Sequence, residues 1–559
     1  MHTTKHWKPI TLLIFGLFLL RGAINILMLP PLEGSDSVGH LEYLRHLKVH
    51  NGAWTPHHMG LSNHAAKLMK YFPSNANLQG FSIAYEHGAK EYQDFFARPD
   101  STLQKLKNEA QEIPFNQAST IWLPNEENWQ RKHPPLYYFA LNALVNAVNP
   151  PTYLGAIHWY RLVSLIMLAL SVIIVAIFSL QIDGFETTKS HRLINAFPLL
   201  PLLYCAQSMI YVVAARISND ALAYPLNAAA ILLLYLILKS DNNRTSLLLS
   251  VSCGLTIGIA FWTKTYALAY LPTLLVSGVL FSYFSKKLMY LRNLAIVFGV
   301  ALLVAYPLIM INLGFSGSID GATIRQRAIE YGSGDVNPLK TCIYLFFQSF
   351  DGYKQFFRML VTRAWTGNWS NIGNYLPVYL AHAALYACIT ILLVKRLIKQ
   401  DRITWLLENK FLVFSVILHV LLFAALVRLG IYLYMRSGEP GNVAGYYAYV
   451  FYPTELYIFW KLLAPKRHIL VASLIVVLLA SDFIGIIAQL LFYYSAGSLG
   501  IAKMVVPHPG FLHLLPHNWS LAPWTTVSFP IISFLIIVYF FVASSFAIYI
   551  LRVHTKKAG

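Results

Sequence analysis

Apolar runs of about 20 residues recur along this chain, the length of helix that crosses a bilayer. They fall near residues 10–29, 160–180, 193–213, 220–238, 246–263, 266–285, 293–313, 376–395, 409–430, 443–463, 469–491 and 526–551. Hydrocarbon offers no partner to a bare backbone N–H or C=O, so such runs fold as helices that satisfy themselves. Charged residues make up only 12% of the 559, about half the share usual in a soluble domain. The expected fold class is an all-α polytopic membrane protein, a bundle of about 12 transmembrane helices with long loops and juxtamembrane helices.

The short loops set the topology. Lys5 and Lys8 precede the first run, and the next basic groups are Lys189 with Arg192, Lys239 with Arg244, and Lys286, Lys287 and Arg292. Then come Lys395, Arg396, Lys399 and Arg402, followed by Lys461, Lys466 and Arg467, and by Arg552, Lys556 and Lys557. With twelve spans, all of these share one side, as the cytoplasmic face of a membrane protein requires. Residues 133–148, HPPLYYFALNALVNAV, would reverse every later loop if they spanned. They are short for a span and suit a helix lying flat on the membrane. The formal net charge of +19 is then a matter of topology, and no basic run interleaved with aromatics forms a nucleic-acid patch.

The long loops 30–158, 314–375 and 492–525 thus fall on the extracytoplasmic side. They divide the chain into a catalytic module 1–313, a second outer loop 314–375 and C-terminal helices 376–559. The first run lacks a small-residue cleavage site and reads as an uncleaved signal anchor. Cys205, Cys253, Cys342 and Cys388 show neither metal-ligand spacing nor a disulfide framework.

Chemistry-bearing residues cluster in the turns of that same side. PPLEGSDSVGH, residues 30–40, brings Glu33, Asp36 and His40 together just after the first run. Asp36 is a candidate general base, Glu33 shares that role or holds a metal, and His40 bonds to Asp36 or to a phosphate. A charged, solvated loop is the plainer account of the three. His133 opens HPPLYY, where two prolines fix the helix entry and so aim His133, Tyr137 and Tyr138. The tyrosines serve equally as interfacial anchors. Arg216 and Asp220 in ARISNDAL stand four apart, either as a helix-capping ion pair or as a site. Lys264 in FWTKTY binds phosphate or snorkels to the interface, and Arg436 in MRSGEPGN is of the same kind. Arg21, Arg428, Glu455 and Asp482 lie within apolar runs, where charges pair structurally or line a transport path.

PPLEGSDSVGHLEYLRHL resembles the first outer loop of the GT-C superfamily of membrane glycosyltransferases. It is most similar to bacterial members of the protein mannosyltransferase and aminoarabinose transferase type, with their PP-x-E-x-x-D-E-x-x-H pattern. HPPLYY, ISNDAL, TKTYALAYLP and GYYAYVFYP follow in the family's order, so the resemblance covers about residues 10 to 455. It implies a bacterial inner-membrane enzyme, GT-C-like in its bundle, with its site on the extracytoplasmic face. The enzyme would move a sugar from a polyprenyl-phosphate donor to a glycan, lipid or protein acceptor, with inversion. It makes Asp36 the catalytic carboxylate, Asp220 the second acidic position, and Lys264 and His133 donor-phosphate or cavity residues. A divalent metal, Mg or Mn, is left open. Two departures stand out: Ser37 replaces the second acid of the Asp-Glu pair, and Tyr446 replaces the Arg of the GRY motif. A diverged, inactive member is one alternative. The other is a transporter or flippase for a lipid-linked or polar solute, resting on the charges inside spans.

Overall fold

The computed structural model describes residues 7–33, 37–50, 52–54, 60–62, 68, 71–73, 92–115, 122–186, 195–240, 242–316, 375–399, 402–437, 445–463, 468–495, 497–499 and 505–558. The chain enters through α1 (Trp7–Met28), and the described part of the first long loop follows. That loop contains α2 (Ser37–Val49), strand β1 (Gly60–Ser62), α3 (Tyr92–Phe96), α4 (Asp100–Glu112) and strand β2 (Trp122–Glu127). β1 and β2 pair antiparallel. α5 (Leu136–Val148) closes the loop.

The bundle continues with α6 (Tyr153–Glu186), α7 (Ala196–Cys205), α8 (Ser208–Ala215), α9 (Asp220–Lys239), α10 (Asn243–Phe261), α11 (Tyr270–Ser285) and α12 (Leu288–Ser316). After it come α13 (Leu376–Lys399), α14 (Arg402–Glu408), α15 (Lys410–Ser437), α16 (Tyr452–Leu463) and α17 (His468–Tyr494). A two-stranded ribbon, β3 (Ser498–Leu499) with β4 (Val505–Val506), leads to α18 (Phe511–Leu521) and α19 (Phe529–Ala558).

The chain is an all-α polytopic membrane protein. Among the described residues ten helices are long and apolar enough to cross a bilayer, or eleven when α7 and α8 count as one span. Two of the twelve expected runs are not single straight helices. The run 193–213 is not one straight helix but α7 and α8, bent by 54°. Pro201 lies inside α7, and Gln207 between the two helices is extended, which ends the hydrogen-bond ladder there. The run 443–463 is a 3₁₀ segment, Gly445–Phe451, followed by the 12-residue α16. α5 has 13 residues, about 20 Å, and fails to span as expected. Its start is set by Pro134 and Pro135, and its end by Asn149 in the left-handed conformation (φ 49°).

Lipid supplies no hydrophobic drive between helices, so close packing and polar bonds hold the bundle. α10 lies against α12 through Gly254 and Gly258. A Cβ on Gly254 would stand 2.7 Å from Val300 Cβ and 2.8 Å from the Val297 carbonyl. α1 is tied to α17 by a fully buried pair, Arg21 Nη2 to Asp482 Oδ1 at 2.8 Å. Arg21 also donates to Asn25 Oδ1 at 2.5 Å, and the Tyr539 hydroxyl of α19 donates to Asp482 at 3.1 Å. Glu455 accepts from the Tyr386 hydroxyl of α13 at 2.6 Å. Three of the four charges read inside spans, Arg21, Asp482 and Glu455, therefore bond between helices.

Contacts sort the connections to two ends. The Leu136 amide donates to the Trp262 carbonyl, Lys107 to the Ser520 carbonyl, and the Tyr375 hydroxyl to the Val505 carbonyl. The described parts of the first and third long loops therefore meet at one end, with the α10–α11 turn and with Tyr375 just before α13. At the other end Arg396 donates to the Lys461 carbonyl and Arg292 to Asn243.

Candidate functional site

Two short turns at the loop end create a buried charge cluster. α8 stops at Ala215, and Arg216 is extended (φ −94°, ψ 142°) as the chain bends into α9. Asp220 opens α9. Across from it, Lys264 is extended (φ −157°, ψ 136°) where the chain leaves α10. The turns are tied by Asn219, whose amide donates to the Thr263 carbonyl at 2.9 Å. Asp220 Oδ1 accepts from Lys264 Nζ at 2.5 Å, and Oδ2 from Arg216 Nη2 at 2.7 Å and Ser218 Oγ at 2.9 Å. All three charged side chains are less than a tenth exposed. Two cations sharing one carboxylate make a site that favours anions. The spacing of Arg216 and Asp220 did foretell an ion pair. It did not foretell Lys264, which arrives from 44 residues further along.

The first long loop brings imidazoles to this cluster. α2 buries His40, whose Nδ1 lies 2.6 Å from the Tyr138 hydroxyl of α5. The Tyr138 ring stacks on Tyr43 at 3.7 Å and 12°, and the Tyr43 hydroxyl donates to the His133 carbonyl at 3.2 Å. The His133 ring stands 6.1 Å from that of His40. Burial holds the His40 pKa well below the usual histidine value, and His133, Lys264 and Arg216 add to this, while Asp220 partly opposes it. Tyr137 shares its hydroxyl with Ser164 Oγ of α6 at 2.8 Å, and burial, chiefly, pushes its pKa up. Neither tyrosine is the exposed anchor that interfacial preference suggested: both are fully buried.

Glu33 occupies a separate knot. It is fully buried, and its oxygens accept from the Tyr92 hydroxyl of α3 at 2.7 Å and the Tyr493 hydroxyl of α17 at 3.2 Å. Beside it Arg161 of α6 donates to the Leu29 and Pro30 carbonyls, both at 2.7 Å, and the Tyr494 hydroxyl to the Met28 carbonyl at 2.5 Å. These bonds satisfy carbonyls at the end of α1 and fix the Pro-Pro turn. Glu33 thus bonds the loop entrance to α3 and α17. Arg161 and Tyr493 were missed by sequence reading. The available signal was an arginine within an apolar run, the same signal that singled out Arg21.

Asp36 and the side chains of Arg436 and Tyr446 lie outside the described residues. Tyr447, next in that 3₁₀ segment, packs on Tyr266 at 5.4 Å, and Lys264 Nζ stands 4.8 Å over the Tyr266 ring. The segment therefore borders the cluster through an aromatic pair. Among the described residues no group of three His, Cys, Asp or Glu is arranged to hold a metal ion.

No family model matches the chain, and no curated protein does. A crystal structure of ArnT from Cupriavidus metallidurans bound to undecaprenyl phosphate matches 82% of this chain and 71% of that chain, at 13% identity and a TM-score of 0.38. At that score the match is a likeness only.

Proposed function

We propose that this protein is a membrane glycosyltransferase that takes a sugar from a polyprenyl-phosphate donor and passes it to an extracytoplasmic acceptor. One observation carries the reading: Asp220, Arg216 and Lys264, from two turns, are brought together at the loop end, within electrostatic reach of His40. Cationic donors at the membrane boundary suit a lipid phosphate, which reaches them from the bilayer. Arg216 and Lys264 hold the phosphate and neutralise the charge that builds on it as the sugar leaves. Asp220 sets the positions of both cations. An acceptor hydroxyl attacks the anomeric carbon from the opposite side, so the glycosyl–phosphate bond breaks with inversion. The hydroxyl proton passes to a carboxylate, a role we give to Asp36, four residues before His40 in the sequence. The basic end faces the cytoplasm, and the site opens to the outer side of a bacterial inner membrane.

The test is mass spectrometry of lipid extracted from protein purified in mild detergent. Wild-type protein should carry a polyprenyl phosphate or its glycosylated form, and Lys264→Met should lose at least about nine-tenths of it, as expected when a buried charged donor is removed. Wild-type protein free of any lipid phosphate would refute the reading. Asp36→Asn should keep the lipid and lose transfer, and transfer at the full rate would take the base role from Asp36. The transporter alternative gains nothing from Arg21 and Asp482, which are spent on each other.

A further inference from the structure

We infer that His40 is a third phosphate-binding group of this site, with Tyr138 fixing its Nδ1 and its Nε2–H donating to an oxygen of the anion that Arg216 and Lys264 hold. The inference rests on the phosphate reading above and adds an uncharged donor to the two charged ones.

The geometry around His40 is built rather than incidental. Its Nδ1 lies 2.6 Å from the Tyr138 hydroxyl, and Tyr138 is pinned by its stack on Tyr43 at 3.7 Å. Asn128 donates to the carbonyl of Gly39, the preceding residue, at 2.8 Å, which steadies α2 at this point. With the Tyr138 phenol as donor to Nδ1, the ring proton sits on Nε2, the tautomer this inference requires. His40 is 3% exposed.

The charged and titratable neighbours decide its charge. Arg216 precedes α9, Lys264 follows α10, and His133 lies just before α5. All three disfavour an imidazolium, and burial disfavours it more. Asp220 pulls the other way and is outweighed. The imidazole therefore stays neutral through the physiological range, and a neutral ring with its proton on Nε2 is a donor that needs no proton from solvent. With His133 replaced by Gln, a site made of a guanidinium, an ammonium and a neutral imidazole keeps its charge as pH changes. Its grip on a phosphodiester should be insensitive to pH.

The experiment measures binding of farnesyl methyl phosphate to the full-length protein in nanodiscs from pH 5.5 to 8. This phosphodiester probe keeps a single negative charge across that range. The affinity of His133→Gln, which removes the second imidazole of the site, should stay within about twofold throughout. His40→Ala should weaken binding about tenfold, the loss expected of one hydrogen bond to a charged group. His40→Gln, whose amide offers a donor near the position of Nε2, should recover most of that loss. Tyr138→Phe keeps the ring stack and removes only the hydroxyl, and it too should weaken binding several-fold. Unchanged binding in His40→Ala or in Tyr138→Phe would overturn the inference while leaving the phosphate site standing. So would an affinity that climbs as pH falls through the usual histidine range in a His133→Gln background, because His40 would then act as a cation. A wild-type protein that ignores the probe at every pH would bring down the underlying reading as well.

Discussion

His40 also ties the stability of the protein to pH. Its folded pKa lies well below the usual 6.5, mainly through burial. Below that value the unfolded chain takes a proton that the folded chain refuses, so acid favours unfolding. Stability is full above pH 6.5 and falls at up to about 1.4 kcal/mol per pH unit, from this group alone, until the folded pKa is reached. Thermal unfolding in detergent at stepped pH should show this slope in the wild-type protein, and His40→Gln should flatten part of it. Identical slopes in the two proteins would mean that His40 takes up its proton as readily in the fold as in the unfolded chain. At this scale the sequence was legible where partners are close in number. Arg216 and Asp220 stand four apart, and that spacing sufficed. Lys264, Tyr138 and Tyr493 reach their partners across 44, 98 and 460 residues, and spacing reports nothing at such separations. Glu33 shows the other limit. A carboxylate after a span reads in sequence as a solvated or catalytic group, and its full burial between two tyrosine hydroxyls was not legible there.

Among the elements, α10 and α12 show how closely the bundle depends on small residues. Gly254 and Gly258 sit one turn apart on α10. A Cβ at Gly258 would lie 2.5 Å from Val304 Cβ and 3.1 Å from the Ala301 carbonyl. The backbone carbonyl cannot step aside as a side chain can, so Gly258→Leu should separate the two helices. Overpacking of this kind costs about 1–3 kcal/mol or more. On α12 itself, Gly299 would meet nothing within 4 Å, which makes Gly299→Leu the matched control. The melting temperature of Gly258→Leu should drop by several degrees and that of Gly299→Leu should barely move. Equal effects would show that helix propensity, not the contact, was being measured. Helix existence was readable from hydropathy because a span must be long and apolar. Helix shape was not: the bend between α7 and α8 needs the extended Gln207, and hydropathy averages over it. The short α5 was readable in length, but its buried tyrosines were not, because an amphipathic helix looks alike on a membrane and on a protein.

For the whole molecule, the question is how an eleven-span count satisfies a charge pattern that requires twelve crossings. The answer lies in residues 445–463. The 3₁₀ segment has seven residues and α16 has twelve. At about 2.0 and 1.5 Å per residue their combined rise is roughly 32 Å, enough for a hydrocarbon core of about 30 Å. Contacts give its direction. Tyr386 meets Glu455, and ten residues on along α13 Arg396 meets the carbonyl of Lys461. α13 and α16 therefore run parallel and finish at the same, basic end. α16 is short and carries Glu455 and Lys461, so its hydropathy is low for a span, and we predict that with the 3₁₀ segment it makes the twelfth crossing. A crossing there would return the chain to the basic end before α17 begins. With that crossing, both termini share the basic end, and the exposed Gln104 and His513 share the other. Single cysteines test this directly in a background with Cys342 and Cys388 changed to serine. Gln104→Cys and His513→Cys should react with a membrane-impermeant maleimide on intact cells. Arg244→Cys and Lys287→Cys should react only after permeabilisation. If His513→Cys were protected while Gln104→Cys reacted, residues 445–463 would not cross. The third long loop would then lie on the far side of the membrane from the Asp220 cluster, and the contact of Lys107 with the Ser520 carbonyl could not form.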